Sequence, residues 1–246
     1  MKTEEQFGDI EFILTEQQDF KDCTLIVGWH GLGECGFLSV NHLVEKLNTK
    51  RIGLILTKNI PQYITIRKQS ISYPLELYRV NDIVLLLPLF EPNKVDHISL
   101  AKGIVDWSIQ NGFKQAILIG GLDKRLKQND ELKVVYTQAY KKLHEDIEYP
   151  FLDDNLLVAG LLAYLLMFYE LKEFPAFALL PYTERSRADP IAASIAVKYI
   201  NRILSLNVDI QDLLDQAEKI EKEIQSFIEA SRKAYKETDD DRSMFV

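Results

Sequence analysis

The 246-residue chain is predicted to be an α/β protein, a three-layer sandwich with a mostly parallel central sheet. Short, almost wholly apolar runs, typical of parallel strands buried on both faces, alternate along the chain with longer segments of helical periodicity. This βαβα order places helices on both faces of the sheet. The length allows one large core.

Five apolar runs are predicted as strands, and four segments with helical periodicity as helices. The strands are Cys23–Trp29, Arg51–Leu56, Asp82–Leu87, Gln115–Ile119 and Ala176–Pro181. The helices are Gly36–Leu47, Lys94–Gln110, Asn155–Leu171 and Pro190–Leu204. Asp189 marks the start of the last helix because its carboxylate can accept first-turn amides, and Pro190 follows where no N–H is needed.

A β-hairpin is predicted between the second and third strands. Ile64–Ile71 and Leu75–Val80 alternate polar and apolar residues on either side of Ser72, Tyr73 and Pro74.

The C-terminal region is predicted to form a helix followed by a tail. Apolar or small residues recur at a 3-4 spacing, at Ile210, Leu213, Ala217, Ile220, Ile224, Phe227, Ser231 and Ala234. Such a stripe packs either on its own domain or on neighbouring copies in an oligomer. The expected units are a core domain at 1–206, a helix at 207–235 and an acidic, flexible tail at 236–246.

The tail ends in three apolar residues, Met244, Phe245 and Val246, after the acidic run Asp239–Asp241. One interpretation is that a partner protein buries them, and the other is that they fold back onto their own domain.

Composition disfavours several classes of partner and site. The net charge is −8 and the basic residues are scattered, so nucleic acid is not an expected partner. The longest apolar helix candidate, Leu156–Phe168, is too short to span a membrane. Two cysteines, Cys23 and Cys35, provide neither a disulfide framework nor a four-ligand metal site, which favours the cytoplasm. We expect no metal and no cofactor.

A glycine loop follows the first strand. Gly31, Gly33 and Gly36 spell G-x-G-x-x-G, the pattern that binds dinucleotides at a strand-to-helix turn. The second strand, however, lacks the terminal carboxylate that holds the ribose, and Glu34 would oppose a bound phosphate. The sequence therefore disfavours a nucleotide site.

Other residues near this loop have two interpretations each. His30 is the best acid–base candidate, or makes a single hydrogen bond. Cys35 is a reactive thiol at a helix start, or is packed. Arg185 and Arg187, after the fifth strand, could hold an anion at the carboxyl edge of the sheet, or form surface ion pairs. No catalytic residue is assigned.

An ordered set of segments resembles the proteasome assembly chaperone 2 family, from about Phe20 to Leu206. Gly28–Gly36 resembles its G-x-x-G-x-G-x-x-G loop, with Trp29 and His30 where the family usually has Leu and Pro. The other matching segments are Asp82–Leu87, Gln115–Leu122 (QAILIGGL), Asn155–Tyr164 (NLLVAGLLAY) and Phe177–Ala193 (FALLPYTERSRADPIAA).

The resemblance implies a fold similar to purine nucleoside phosphorylases and nucleoside hydrolases, and a non-catalytic chaperone or partner of the proteasome core particle. Archaeal relatives end in a hydrophobic-Tyr-any motif, which Met244, Phe245 and Val246 match with Phe in place of Tyr. By analogy, the tails of a homo-oligomer would enter grooves between α-subunits, with the Val246 carboxylate on a lysine.

Two other functions remain open from the sequence. One is a phosphorylase-like or nucleotide-binding enzyme for a small metabolite, with Gly31, Gly33, His30, Arg185 and Arg187 at its site. The other is a scaffold that pairs with a different family member.

Overall fold

The structure is a computed structural model that describes residues 2–62, 64–144 and 147–226. The predicted tail at 236–246, including Met244, Phe245 and Val246, lies outside the described residues. So does the last part of the predicted C-terminal helix.

Twelve strands and six helices follow one another along the described chain. The strands are β1 (Thr3–Phe7), β2 (Ile10–Leu14), β3 (Thr24–Gly28), β4 (Lys50–Leu56), β5 (Thr65–Arg67), β6 (Ser70–Ser72), β7 (Leu75–Val80), β8 (Ile83–Pro88), β9 (Gln115–Ile119), β10 (Leu122–Asp123), β11 (Leu132–Tyr136) and β12 (Ala176–Thr183). The helices are α1 (Cys35–Lys46), α2 (His97–Gln110), α3 (Gln138–Leu143), α4 (Leu161–Leu171), α5 (Pro190–Leu204) and α6 (residues 211–226). Short 3-10 turns lie at Leu32–Glu34, Lys94–Asp96 and Lys124–Leu126.

The central sheet is mixed, so the prediction of a mostly parallel sheet was wrong. Its order is β1-β2-β4-β7-β8-β3-β9-β12-β10, with β11 also paired to β12. The pairs among β8, β3, β9, β12 and β10 are parallel, whereas those from β1 to β8 and the β11–β12 pair are antiparallel. Two-residue loops join β1 to β2 and β7 to β8, and such tight loops require antiparallel partners.

The predicted hairpin also differs from the structure. Its first arm folds on itself as β5 and β6, with a tight turn at Lys68 and Gln69, which both have positive φ. Its second arm, β7, pairs with β4 and β8 in the central sheet. There the carboxylate of Glu76 is fully buried and accepts hydrogen bonds from Arg51 Nη1 at 2.6 Å and Tyr78 Oη at 2.7 Å.

Helices cover both faces of the sheet, which confirms the α/β class. One core cluster contains the inward side chains of α2 and α4, and the other contains those of α1 and α5. In β3, Leu25 and Val27 point into the first cluster and Ile26 into the second. The alternation places a fully buried strand between two apolar layers.

Helix α4 is shorter than its predicted range, which began at Asn155. Gly160 has φ +71 and ψ −152 and precedes the first helical residue, Leu161. This backbone conformation favours glycine and is not helical, so residues 157–160 form a loop.

Helix α6 begins on the body of its own domain. Leu213 is buried in the second core cluster, and Leu214, Ala217 and Ile220 are half-buried. The segment before it is held by His42, whose Nε2 donates to Asp209 O at 2.7 Å. Within the described residues, no helix has both the length and the apolar character needed to cross a membrane.

Candidate functional site

The glycine loop connects β3 to α1, and its three glycines have different roles. Gly31 precedes the 3-10 turn, has φ −140, and has open space where a side chain would be. Gly33 has φ +60, which favours glycine. Gly36 packs against backbone atoms of Trp29 and Ile119 at the ends of two strands. The last glycine therefore allows the helix to lie close to the sheet.

The loop after β12 is fastened to this glycine loop. The amide of Asp189 donates to Gly33 O at 2.8 Å, and a side chain at Gly33 would overlap Thr183. The Asp189 carboxylate accepts from the amides of Ala192 at 3.0 Å and Glu184 at 2.9 Å. It thus caps α5, as predicted, and also closes the loop. The space around Gly33, the middle glycine of the pattern, is therefore occupied by protein atoms.

The two arginines of the predicted anion loop lie near carboxylates. Arg187 Nη2 is 3.3 Å from Glu221 Oε2 on α6 and 3.9 Å from Glu184 Oε1. Hydrogen bonds from Arg125 lower the pKa of Asp123 to about 2, and the charge of exposed Arg185 makes a smaller contribution. A cavity lies beside the glycine loop, and His30 forms part of its wall, but neither arginine does. This arrangement fits the ion-pair alternative, and anion binding stays a prediction.

His30 joins the ends of two adjacent parallel strands. Its Nε2 lies 3.1 Å from Pro88 O at the end of β8. Because a carbonyl only accepts, Nε2 donates, and Nδ1 of the neutral ring is left as an acceptor. The imidazole stacks on Phe37 with ring centroids 4.2 Å apart.

Cys35 is fully buried at the start of α1. Burial, with a smaller contribution from the nearby Asp189 charge, raises the pKa of its thiol to about 12. The thiolate is the nucleophile, so this cysteine is packed rather than reactive.

A cavity of about 290 Å³ opens beside the glycine loop at the carboxyl ends of β3, β8 and β9; we call it the carboxyl-edge cavity. Helix α1, which follows β3, lies on one face of the sheet, and α2, which follows the neighbouring β8, lies on the other. Ligands of open α/β sheets bind outside the carboxyl ends of strands where the chain changes face in this way.

The cavity wall comes from five separate parts of the chain. It comprises residues 29–32, the group Glu91, Pro92 and His97, residues 119–122, residues 157–162, and Leu180. Of these, only His30 and Gly31 belong to the predicted site residues. The other parts were missed, although Gly160 within a predicted helix was a signal that a loop lay there.

The polar side chains of the described lining residues are few. They include the imidazoles of His30 and His97 and the carboxylate of Glu91, and no serine, cysteine or lysine is among them. Across residues 2–62, 64–144 and 147–226, no group of three or more His, Cys, Asp or Glu side chains is placed to hold a metal ion.

Comparisons with known proteins give a consistent result. A sequence model of the PAC2 family matches residues 25–228. An uncharacterised protein of Methanocaldococcus jannaschii is 25% identical over 240 residues, covering 96% of this chain and 98% of that protein. Among solved structures, Pyrococcus furiosus PbaA, described as an archaeal homolog of proteasome-assembly chaperone, aligns with a TM-score of 0.80 and 24% identity, covering 97% of this chain and all of that one.

A second solved structure has the same fold over a slightly smaller share of this chain. Pyrococcus furiosus PbaB, described as an archaeal proteasome activator, aligns with a TM-score of 0.72 and 20% identity. The alignment covers 89% of this chain and 98% of PbaB. The fold is therefore shared across the length of these proteins.

Proposed function

This chain belongs to the PAC2 family, as its motifs predicted, and we propose that it is a non-catalytic proteasome assembly chaperone or core-particle-binding protein. The observation that carries the proposal is the likeness to PbaA over 97% of this chain. PbaA is described as a chaperone homolog and PbaB as a proteasome activator, and both descriptions concern the same particle. The proposed partners are α-subunits of the proteasome core.

The proposed contact is made by the C-terminal tail, which lies outside the described residues. Met244 and Phe245 would enter a groove between neighbouring α-subunits, and the Val246 carboxylate would pair with a lysine there. Burying one Phe ring removes roughly 150 to 250 Å² from water. At ~25 cal/mol per Å² this contributes about 4 to 6 kcal/mol before the entropy of ordering the tail is subtracted.

Several tails acting together would make this contact firm. In a homo-oligomer, or an oligomer with another family member, one bound tail raises the effective concentration of the next to about millimolar. The avidity then exceeds that of one tail by about 10² to 10⁴. The acidic run Asp239–Asp241 would keep the anchor solvated and steer it towards basic groups.

The described part of α6 is suited to carry such a tail. Ion pairs fasten it to the body at two places, between Lys46 and Asp212 at 2.6 Å and between Arg187 and Glu221 at 3.3 Å. Each is an exposed pair that contributes little to stability alone. Together with buried Leu213 they fix where the helix leaves the domain.

Co-purification with proteasome α-subunits tests the proposal. Full-length protein should retain them, and protein lacking Met244–Val246 or carrying Phe245→Ala should lose them. Phe245→Tyr is the matched control, because its hydroxyl restores the hydrogen bond of the family motif. That bond contributes about 0.5 to 1.5 kcal/mol, so binding should tighten about 2- to 13-fold. Undiminished binding by the truncated protein, with its fold intact, contradicts the proposal.

A cytoplasmic location is part of the same proposal. Cys23 and Cys35 are both unpaired and buried, which suits a reducing compartment. The expected likeness of the fold to nucleoside phosphorylases stays a prediction.

A further inference from the structure

We propose that the carboxyl-edge cavity binds an uncharged heteroaromatic compound of one or two fused rings. This site lies on the α/β body and is independent of the tail that carries the proposed function. The inference rests on the position, size, polarity and charge of the cavity.

The position makes the cavity a binding cleft rather than a packing defect. It lies where helices diverge to opposite faces after two adjacent parallel strands, and segments from five parts of the chain converge on it. Loop residues 157–160, with Leu157 87% exposed, form one side of the mouth. A small molecule can therefore enter from solvent without opening the core.

The size limits the ligand to one or two rings. The volume of about 290 Å³ is near the lower end of the range for small-molecule sites, which begins at roughly 300 Å³. An apolar cavity of about 150 Å³ is known to admit benzene. A cavity nearly twice as large accommodates a bicyclic ring system in close contact with its walls.

The polar groups match a ring that donates hydrogen bonds. His97 Nε2 lies 3.1 Å from Pro92 O and therefore donates to it, as His30 Nε2 donates to Pro88 O. In its neutral form each imidazole keeps Nδ1 as an acceptor, which a ring N–H can satisfy. Trp29 also lines the wall and is 7% exposed.

The charged groups of the wall favour a neutral compound over an anion. Among the described residues that line the cavity there is no lysine or arginine, and the one carboxylate, Glu91, is exposed. An anion would lose its hydration without gaining a cationic partner. Most of the remaining wall is aliphatic, from residues such as Leu122, Leu162 and Leu180.

The test measures binding of benzimidazole to the full-length chain by ligand-observed NMR, at a pH where benzimidazole is neutral. We expect saturable binding with a Kd of about 0.1 to 1 mM, typical of a compound of this size. Benzimidazole-5-carboxylate, which adds a negative charge to the same ring, should bind at least about tenfold more weakly. Absence of saturation by benzimidazole, or equal binding of the carboxylate, overturns the proposal.

Substitutions locate the bound compound in the cavity. Ala159→Phe adds a ring at an exposed lining position and should weaken benzimidazole binding at least about tenfold. Leu143→Phe adds a ring at an exposed position on α3 that does not line the cavity, and should leave the Kd unchanged. Equal Kd values for Ala159→Phe and wild type contradict the assignment.

A second substitution tests a polar group of the wall, and keeps the proposal testable if Ala159→Phe does not fold. His97→Phe removes the imidazole while keeping an aromatic ring, and we expect a loss in benzimidazole affinity of about 2- to 13-fold. An unchanged Kd for folded His97→Phe overturns the role given to this group. Since the tail is intact in both variants, co-purification with α-subunits reports separately on the proposed function.

Discussion

Replacing Gly36 with Ala should destabilise the protein, although alanine is the better helix former. A Cβ atom at position 36 would lie 2.6 Å from Ile119 O, 2.7 Å from Trp29 N and 2.8 Å from Trp29 O. All three are backbone atoms at strand ends, so they cannot rotate away. Helix α1 would have to move outward from the sheet, and its contacts with both strands would loosen.

The size of the effect follows from two opposing contributions. Overpacking costs about 1 to 3 kcal/mol, and three rigid contacts at once favour the upper end. The helix propensity of alanine returns up to about 1 kcal/mol. We therefore expect a net loss of about 2 kcal/mol in the free energy of unfolding, which lowers Tm by roughly 4 to 8 °C in a chain of this length.

Urea unfolding, followed by circular dichroism, measures this loss, with Gly31→Ala as the matched control from the same motif. A Cβ at Gly31 meets no atom within 4 Å, and its φ of −140 suits any residue. Gly31→Ala should stay within about 0.5 kcal/mol of wild type. The packing explanation fails if Gly36→Ala is as stable as wild type, or if Gly31→Ala loses equally.

Three further outcomes follow from buried groups. Neither Cys23 nor Cys35 should react with a thiol reagent at pH 8 until the protein is unfolded, because both are buried. Folding raises the pKa of the Cys35 thiol from 9.0 to about 12. The contribution of this thiol to the free energy of unfolding is therefore complete below pH 9 and is lost as pH rises towards 12. Glu76→Gln should lower the free energy of unfolding by about 1.5 to 3 kcal/mol in urea titrations, since it weakens the charge-assisted hydrogen bonds that half-buried Arg51 and Tyr78 donate to a fully buried carboxylate. A change below about 1 kcal/mol would contradict this. A chain ending at residue 206 should have a lower Tm than one ending at 226, because it lacks buried Leu213. The burial of this side chain contributes about 1.5 to 3 kcal/mol to the free energy of unfolding. Equal Tm values would show that α6 does not stabilise the domain.

The parallel half of the sheet could be predicted from the sequence because the apolar residues of each strand indicate by themselves that the strand is buried. All five residues of β9 are buried, and it was predicted with its observed bounds, Gln115–Ile119. Strand β3 is likewise buried throughout, with Leu25, Ile26 and Val27 at its centre. A continuous apolar run is a local signal that needs no knowledge of the partner strand.

The antiparallel pairing was missed because its signals depend on contacts over distance, although Arg51–Leu56 was predicted as a strand. Strands β1 and β2 flank a tight turn at Gly8, which has φ +63, but β1 is polar except for Phe7, and β2 is only five residues long. The segment Leu75–Val80 was correctly predicted as extended, yet local alternation could not distinguish a hairpin partner from neighbours in the central sheet. Register of this kind is set by which face is buried.

The candidate site was predictable only in part for the same reason. The glycine loop and the position of His30 follow from a strand-to-helix pattern in adjacent residues. The opposite wall of the cavity comes from His97 and from residues 157–162, which lie far along the chain. Only the folded sheet edge brings these segments together.

The position of β3 between the two apolar layers affects how the domain unfolds. Leu25 and Val27 belong to one layer and Ile26 to the other, so neither layer can open without disturbing the same five residues. The body should therefore unfold as one cooperative unit rather than face by face. The amides of this strand should be among the slowest in the molecule to exchange with deuterium, and both helical faces should lose protection together.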